Sequence, residues 1–326
     1  MIGAGSQTSE NLFKDTLVYS NVVQLDASND EIHQDDGTDI GTLMGAGSWT
    51  YMWWISIPSA TSSNWNSQLQ SHWAKGENTF AGNNFIRFQS SGEYSLSNLT
   101  QFAHEGDADP NQTRVTPIWF VQARSGGSMI QQKSFVISPL ESPIRGGDQN
   151  AMNGALPGGS MYTPPGGLTK GFVCFALTCD ASGTNRDFKL YINGIEIPAA
   201  TTEDVSAGRG STEITLASST NFESHCGSTT FNLQKTANLI QSQYIVQLGP
   251  QAFWSSALTQ AEVKEIFYTN PTLTSNFGDY TSSGDLERWY KFDEGSGTSV
   301  ADSSGNSGQA FDLVNSPTWI KRNVTT

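Results

Sequence analysis

The segment HEGDADPN places Glu105, Asp107 and Asp109 at alternate positions, so on a β-strand their carboxylates would share one face. Two carboxyls ~5–5.5 Å apart supply the acid and the nucleophile of a retaining glycoside hydrolase, and a wider pair admits the water used in inversion. Gly106 and Pro110 work against that arrangement, because proline gives no N–H to a β-ladder and both residues favour a loop. Catalysis by this group is not expected. The chain also has no G-x-S-x-G elbow, no phosphate-binding glycine loop and no zinc-binding helix.

Oxygen-rich turns offer a second kind of chemistry. DASND at 26–30 and DSSGN at 302–306 carry carboxylates and carbonyls that could ligate calcium, Asp302 being the best single candidate, with Asn306, Asp26 and Asp30 beside it. The competing reading is that Asp, Asn, Ser and Gly occur there because they make turns. Exposed aromatics are a third possibility, since sugar rings stack on them. Trp65 and Trp73 are read as loop residues and Trp54 as lying on the less aromatic face of its strand, although aromatic side chains chiefly bury area.

Elements must position these groups, and the clearest is a helix near 259–268. Thr259 and Glu262 form a capping box, Leu258 and Val263 a hydrophobic staple, and Val263, Ile266 and Phe267 one apolar face; Asn270-Pro271 stops the helix. So short a helix needs an apolar support, which a β-sheet would supply. Tyr244 to Leu248 reads as a strand ended by Gly249-Pro250, with Phe253-Trp254 a second short strand.

Earlier in the chain, Val18, Val22, Val23 and Leu25 suggest a strand, residues 26–30 a tight turn, and Glu31 to His33 the return strand. In SWTYMWWISIP, Trp49, Tyr51, Trp53, Ile55 and Ile57 share one face while Thr50, Met52, Trp54 and Ser56 share the other. NNFIRFQSSGEYSLSNL reads as a hairpin turning at 90–92, and 117–123 and 133–137 as strands. Phe172 to Cys179 and Phe188 to Ile192 are strands, followed by a hairpin at Asn193-Gly194 of type I′ preference; Glu213 to Leu216 is a further short strand. Residues 138–168, rich in Pro and Gly, are either a partner-contact loop or a plain surface loop.

Composition agrees with short strands and polar turns: 36% hydrophobic, 15% charged and 32 glycines in 326 residues. A net charge of −14 argues against nucleic acid as a partner. No apolar run approaches the ~18 residues of a membrane span, and the N-terminal residues as written lack the features of a secretory signal. Of three cysteines, Cys174 and Cys179 sit on opposite faces of one strand, and all three read as buried thiols of a chain made in a reducing cytoplasm.

Three segments resemble one family in the right order: VVQLDASNDEIHQ with SWTYMWWISIP, FVCFALTCDASGTNRDFKLYINGIEI, and IVQLGPQAFWSSALTQAEVKEIF. They are similar to the laminin-G-like branch of the concanavalin A-like jelly rolls. The resemblance implies an all-β, two-sheet antiparallel jelly-roll sandwich with one short capped helix, and structural calcium in some members. Glycoside hydrolases of the laminarinase type in this group use E-x-D-x-x-E on one strand, and here Pro110 stands where the second glutamate should fall. Residues 1–16 are then a polar arm, 17–284 the jelly roll with insertions near 100–170 and 199–240, and 285–326 a C-terminal strand segment. WYKFDEGSGTSVADSSGNSGQAFDL resembles a segment that usually comes first in the family, so it either completes the sandwich in cis, which is favoured, or exchanges strands with a neighbouring copy.

The fold hosts many activities. The leading expectation is a non-enzymatic structural or adhesion protein on a bacteriophage virion surface, such as a capsid decoration, fibre or tail component. Its partners would be other virion proteins or copies of itself, a trimer being plausible, and a host surface glycan; no cofactor is required. A carbohydrate-binding lectin module is the alternative and a glycoside hydrolase the third.

Overall fold

The computed structural model describes residues 21–26, 30–34, 44, 47–56, 58, 70–76, 85–91, 118–125, 128–136, 172–183, 186–197, 231–233, 245–270 and 272–321. Expectations for residues 1–16, Val18, Glu213 to Leu216, Tyr244, Cys226 and 138–168 fall outside them. The chain forms a two-sheet antiparallel jelly-roll sandwich with a short helix on one outer face.

The first sheet is built on β3 (Trp49–Ser56) and β12 (Val246–Trp254), which pair antiparallel. Beyond β3 follow β8 (Val173–Asp180), β9 (Asp187–Ile192) and β10 (Ile195–Ile197). The other edge of β12 is shared: β1 (Asn21–Leu25) takes Val246 to Leu248 and β13 (Leu286–Tyr290) takes Gln251 to Trp254, with β16 (Thr318–Lys321) outside β1. The second sheet runs, in spatial order, β14 (Ser299–Val300), β15 (Phe311–Val314), β2 (Glu31–Gln34), β11 (Phe231–Leu233), β4 (Gln70–Gly76), β5 (Phe85–Ser91), β6 (Ile118–Ser125) and β7 (Ser128–Val136).

Alternation along β3 feeds two cores. Trp49, Tyr51, Trp53 and Ile55 point between the sheets, where they join Trp73, Phe88, Phe135, Phe175 and Leu248. Met52 and Trp54 point outward and are covered by α1 (Gln260–Thr269) through Val263, Ile266 and Phe267, together with Leu273, Tyr280 and Trp289. Cys174 and Cys179 of β8 are buried free thiols on these opposite faces. The Asn193-Gly194 turn has φ of 50° and 78° at its two central residues, as a type I′ hairpin requires. A Cβ at Gly194 would stand 3.2 Å from the α-carbon of Lys264, so the turn and the helix fit only with glycine there.

Four expectations change. Residues 26–30 do not close a hairpin: β1 and β2 belong to different sheets, so this stretch is a corner of the sandwich. Gly249-Pro250 does not end a strand. The residues lie inside β12 at an irregularity between Leu248 and Gln251, which absorbs the missing proline N–H while pairing continues on either side. No hairpin turns at 90–92, because both edges of β5 are already taken by β4 and β6. Trp73 lies on β4 and not in a loop. In addition, β6 and β7, within the stretch read as an insertion, widen the second sheet, and the strands of 285–326 pair within the same chain.

The helix start is clamped by one carboxylate. Glu262 Oε2 accepts from the Thr259 N–H at 2.9 Å and hydroxyl at 3.0 Å, and Oε1 accepts from Ser282 Oγ at 2.6 Å and the Thr281 N–H at 3.2 Å. Burial alone would raise the pKa of this carboxyl, but the hydrogen bonds from Ser282, Thr259 and Thr281 outweigh it and hold it below the ordinary glutamate value. A lowered folded-state pKa means that the stabilisation is complete above the unfolded-state value, about 4.3, and is lost as pH falls through the folded value. Chemical denaturation across pH 2–7 tests this. Glu262→Gln should cost about 1–3 kcal/mol near neutrality and show a shallower fall on acidification than the parent.

Candidate functional site

The two outer faces of the sandwich differ. That of the first sheet is covered by α1 and residues 272–289, whereas among the described residues no helix lies on the second sheet. The register identifies which positions the second sheet presents outward. Ile32, Gln34, Trp73, Phe88, Phe135, Phe311 and Leu313 are buried toward the core, so the alternate positions form the outer face. One uninterrupted row of pairs crosses seven strands there: Asp312, His33, Asn232, Ala74, Arg87, Gln122 and Gln132. Rows to either side carry Ser71, Gln89, Phe120 and Ser134, and Gly76, Phe85, Arg124 and Met129.

Amide, imidazole and guanidinium groups both space and orient hydrogen bonds, and aromatic positions nearby supply apolar faces. With about 4.8 Å between neighbouring strands, the six steps of the row cover about 29 Å. The sequence shows part of this pattern in Ile86-Arg87-Phe88-Gln89 and Val121-Gln122-Ala123-Arg124, where apolar and polar residues alternate. It does not show that β2 neighbours β11, about two hundred residues later, which is what completes the row.

Of the three tryptophans considered as sugar platforms, Trp73 and Trp54 are buried. Trp73 is 0% exposed, in edge contact with Trp49, Tyr51 and Trp53 and stacked with Phe88. Trp54 is 5% exposed beneath the helix layer. Trp73 faces the core between the two sheets and Trp54 lies between the first sheet and the helix layer, while Trp65 lies outside the described residues. Glu105, Asp107 and Asp109 lie outside them as well.

Asp302 and Asn306 are brought together as the scaffold of one turn. Asp302 Oδ1 accepts from the N–H groups of Trp289 and Ser304, each at 2.9 Å, while Oδ2 accepts from Ser304 Oγ at 2.7 Å and the Gly308 N–H at 2.9 Å. The Asn306 amide donates to the Leu286 carbonyl at 2.6 Å. A Cβ on Gly308 would sit 2.3 Å from the Arg288 side chain and 2.7 Å from Asp302 Oδ2, so the chain passes close to this carboxylate. Calcium here would have to displace donors already in place. At the other turn, Asp30 Oδ2 accepts from the Asp26 N–H at 3.0 Å, linking the two ends of the connection, and Asp26 Oδ2 accepts from Gln24. Asp30 is buried and Asp26 exposed, and the two turns are separate. Among the described residues no three His, Cys, Asp or Glu side chains are placed to hold a metal ion.

No protein-family model matches the chain, and no curated protein matches it. Solved structures do. A candidate carbohydrate-binding protein of Bacteroides ovatus aligns with 94% of this chain and 60% of its own, at 14% identity and a TM-score of 0.44. A native heptameric SAP-like pentraxin of Limulus polyphemus aligns with 90% of this chain and 95% of its own, at 9% identity and a TM-score of 0.38. The binding domain of botulinum neurotoxin serotype D aligns with 76% and 42%, at 14% identity and a TM-score of 0.40. This chain therefore spans 60% of the first of these proteins and 42% of the last.

Two substitutions separate scaffold from site. Trp73→Ala should destabilise the fold by about 3–5 kcal/mol, read by denaturant titration, as a core residue and not a binding residue does. Asp302→Ala should cost about 2–4 kcal/mol from four lost acceptor contacts. Calcium should leave the parent melting temperature unchanged, and a calcium-dependent rise that vanishes in Asp302→Ala would instead make the turn a metal site.

Proposed function

We propose that the chain is a non-enzymatic, lectin-like binding module that holds a glycan against the outer face of its second sheet. The observation that carries this reading is the row from Asp312 to Gln132: polar at six of its seven positions, continuous across seven strands, on the sandwich face that no described helix covers. Sugars present vicinal hydroxyls that donate and accept together. The amides of Asn232, Gln122 and Gln132 match that dual character, whereas a hydrophobic partner would leave them unpaired. Phe85 and Phe120 occupy register positions on adjoining rows of the same face, and aromatic residues of this kind stack on the apolar faces of pyranose rings.

The reading includes no catalytic step. The finer placement proposed is the exterior of a bacteriophage particle, in a decoration, fibre or tail component that contacts copies of itself. Its support is the resemblance of three sequence segments to laminin-G-like jelly rolls, a domain type that recurs in such particles. Among the described residues no helix is long and apolar enough to cross a membrane.

A glycan array probed with the full chain tests the binding reading. Retention of one glycan class is expected, with Gln122→Ala and Asn232→Ala each weakening it about five- to tenfold, a loss of one or two hydrogen bonds, and leaving the melting temperature within about 2 °C of the parent. Absence of binding to every glycan, with and without calcium, would sink it. Gold-labelled antibody on intact particles and the mass of the chain in solution test the placement and the self-association separately.

A further inference from the structure

Among the described strands β16 is outermost on the first sheet and pairs with β1 alone: Asn21 with Lys321, Val22 with Ile320, Val23 with Trp319 and Gln24 with Thr318. None of its four residues is fully buried. Thr318 and Lys321 are exposed, and Trp319 and Ile320 are half-buried. The strand nevertheless completes both cores beside β1, because Trp319 packs against the cluster that holds Val23 and Ile320 against the cluster that holds Val22, each valine being 0% exposed. A vacated β1 edge would therefore need a new occupant.

The connection that brings β16 to this place is strained. Only residues 315–317 separate β15, in the second sheet, from β16, in the first. Asn315 has a φ of 63° and Ser316 of 75°, and among the described residues they are the one pair of adjacent non-glycine residues with positive φ. Asparagine tolerates that conformation, whereas serine does so at a cost, and Pro317 favours an extended residue before it. Ser316 is exposed, so burial does not offset the cost. A short connection under strain invites strand exchange, because straightening it releases the strain while the strand recovers its pairing on another copy. We infer that β16 is an exchangeable strand: the corner at 315–317 straightens, and β16 of one copy occupies the β1 edge of a second copy, reciprocally, in a two-fold dimer. A second copy is the fitting occupant because its identical strand reproduces all four pairings, the packing of Trp319 and Ile320, and the 2.9 Å hydrogen bond that the Trp319 indole donates to the Gly297 carbonyl. The inference gives the self-association proposed above a definite contact, and it does not depend on glycan binding.

Sedimentation of the full chain across a range of concentrations, with Ser316→Gly and Ser316→Val beside the parent, is the first arm of the test. A concentration-dependent dimer is expected. Ser316→Gly relieves the closed corner and should weaken dimerisation about tenfold, while Ser316→Val, whose branched side chain suits positive φ worse, should strengthen it. The second arm reads the exchange itself. Copies carrying only Asn21→Cys are mixed with copies carrying only Lys321→Cys and oxidised; the two positions face each other in register, so a disulfide between chains, mapped to 21 and 321 by peptide mass, is expected where β16 has crossed. Both substitutions in a single chain, oxidised at low concentration, should lock the strand in place and abolish the dimer. A dimer without the link between 21 and 321 would overturn the exchange and leave self-association standing. A chain that stays monomeric at every concentration and forms no such link would overturn both. Should Ser316→Val fail to fold, Ser316→Gly decides alone, and dimerisation unchanged by it would overturn the inference.

Discussion

The structure depends on a strand that buries both of its faces. Every residue of β3 is buried: Trp49, Tyr51 and Trp53 on the side of the second sheet, Met52 and Trp54 on the side of the helix. So large an aromatic surface leaves water only if something covers each side. Trp73 and Phe88 do so from the second sheet, while Val263, Ile266 and Phe267 do so from α1. The helix is too short to hold its shape alone, so it depends on the sheet as much as the sheet depends on it. Thr50 joins the two, donating to the Ser256 carbonyl and accepting from the Leu258 N–H, each at 2.8 Å.

Several polar groups inside this aromatic interior bond one another. Tyr51 donates to Gln251 at 2.6 Å, and burial, with Tyr290 nearby, holds its hydroxyl well above the ordinary tyrosine value and therefore protonated. Tyr280 accepts from the Trp254 indole and donates to the Leu273 carbonyl, each at 2.9 Å, and burial pushes its pKa up to about 12. Gln34 of the second sheet meets Tyr290 of the first, and both bond the Gln309 carbonyl at 2.7 Å. These contacts tie the C-terminal residues into both layers: β13 and β16 enter the first sheet, β14 and β15 the second. The last fifty residues of the described chain are therefore part of the sandwich and not an appendage.

Covering one outer face with a helix has a consequence for binding. The first sheet spends its outward aromatics on packing, so Trp54, Trp254 and Trp289 are buried beneath the helix layer. The turn at Asp302 has a structural task of its own. Asp302 uses its carboxylate to gather the N–H groups of Trp289, Ser304 and Gly308, which fixes the connection between β13 and the strands that follow.

Local rules were legible in the sequence. The capping box at Thr259 and Glu262, the Asn193-Gly194 turn, the two-faced pattern of β3 and the opposite placement of Cys174 and Cys179 each depend on residues close together in the chain, and the structure shows them. Tertiary pairing decided the rest, because a strand's neighbours are set by burial and not by adjacency. That is why residues 26–30 link two sheets, why Pro250 sits at an irregularity inside a strand, and why Trp73 is core. It is also why the row from Asp312 to Gln132 escaped notice: its members are spread from position 33 to position 312, and only closure of the second sheet aligns them.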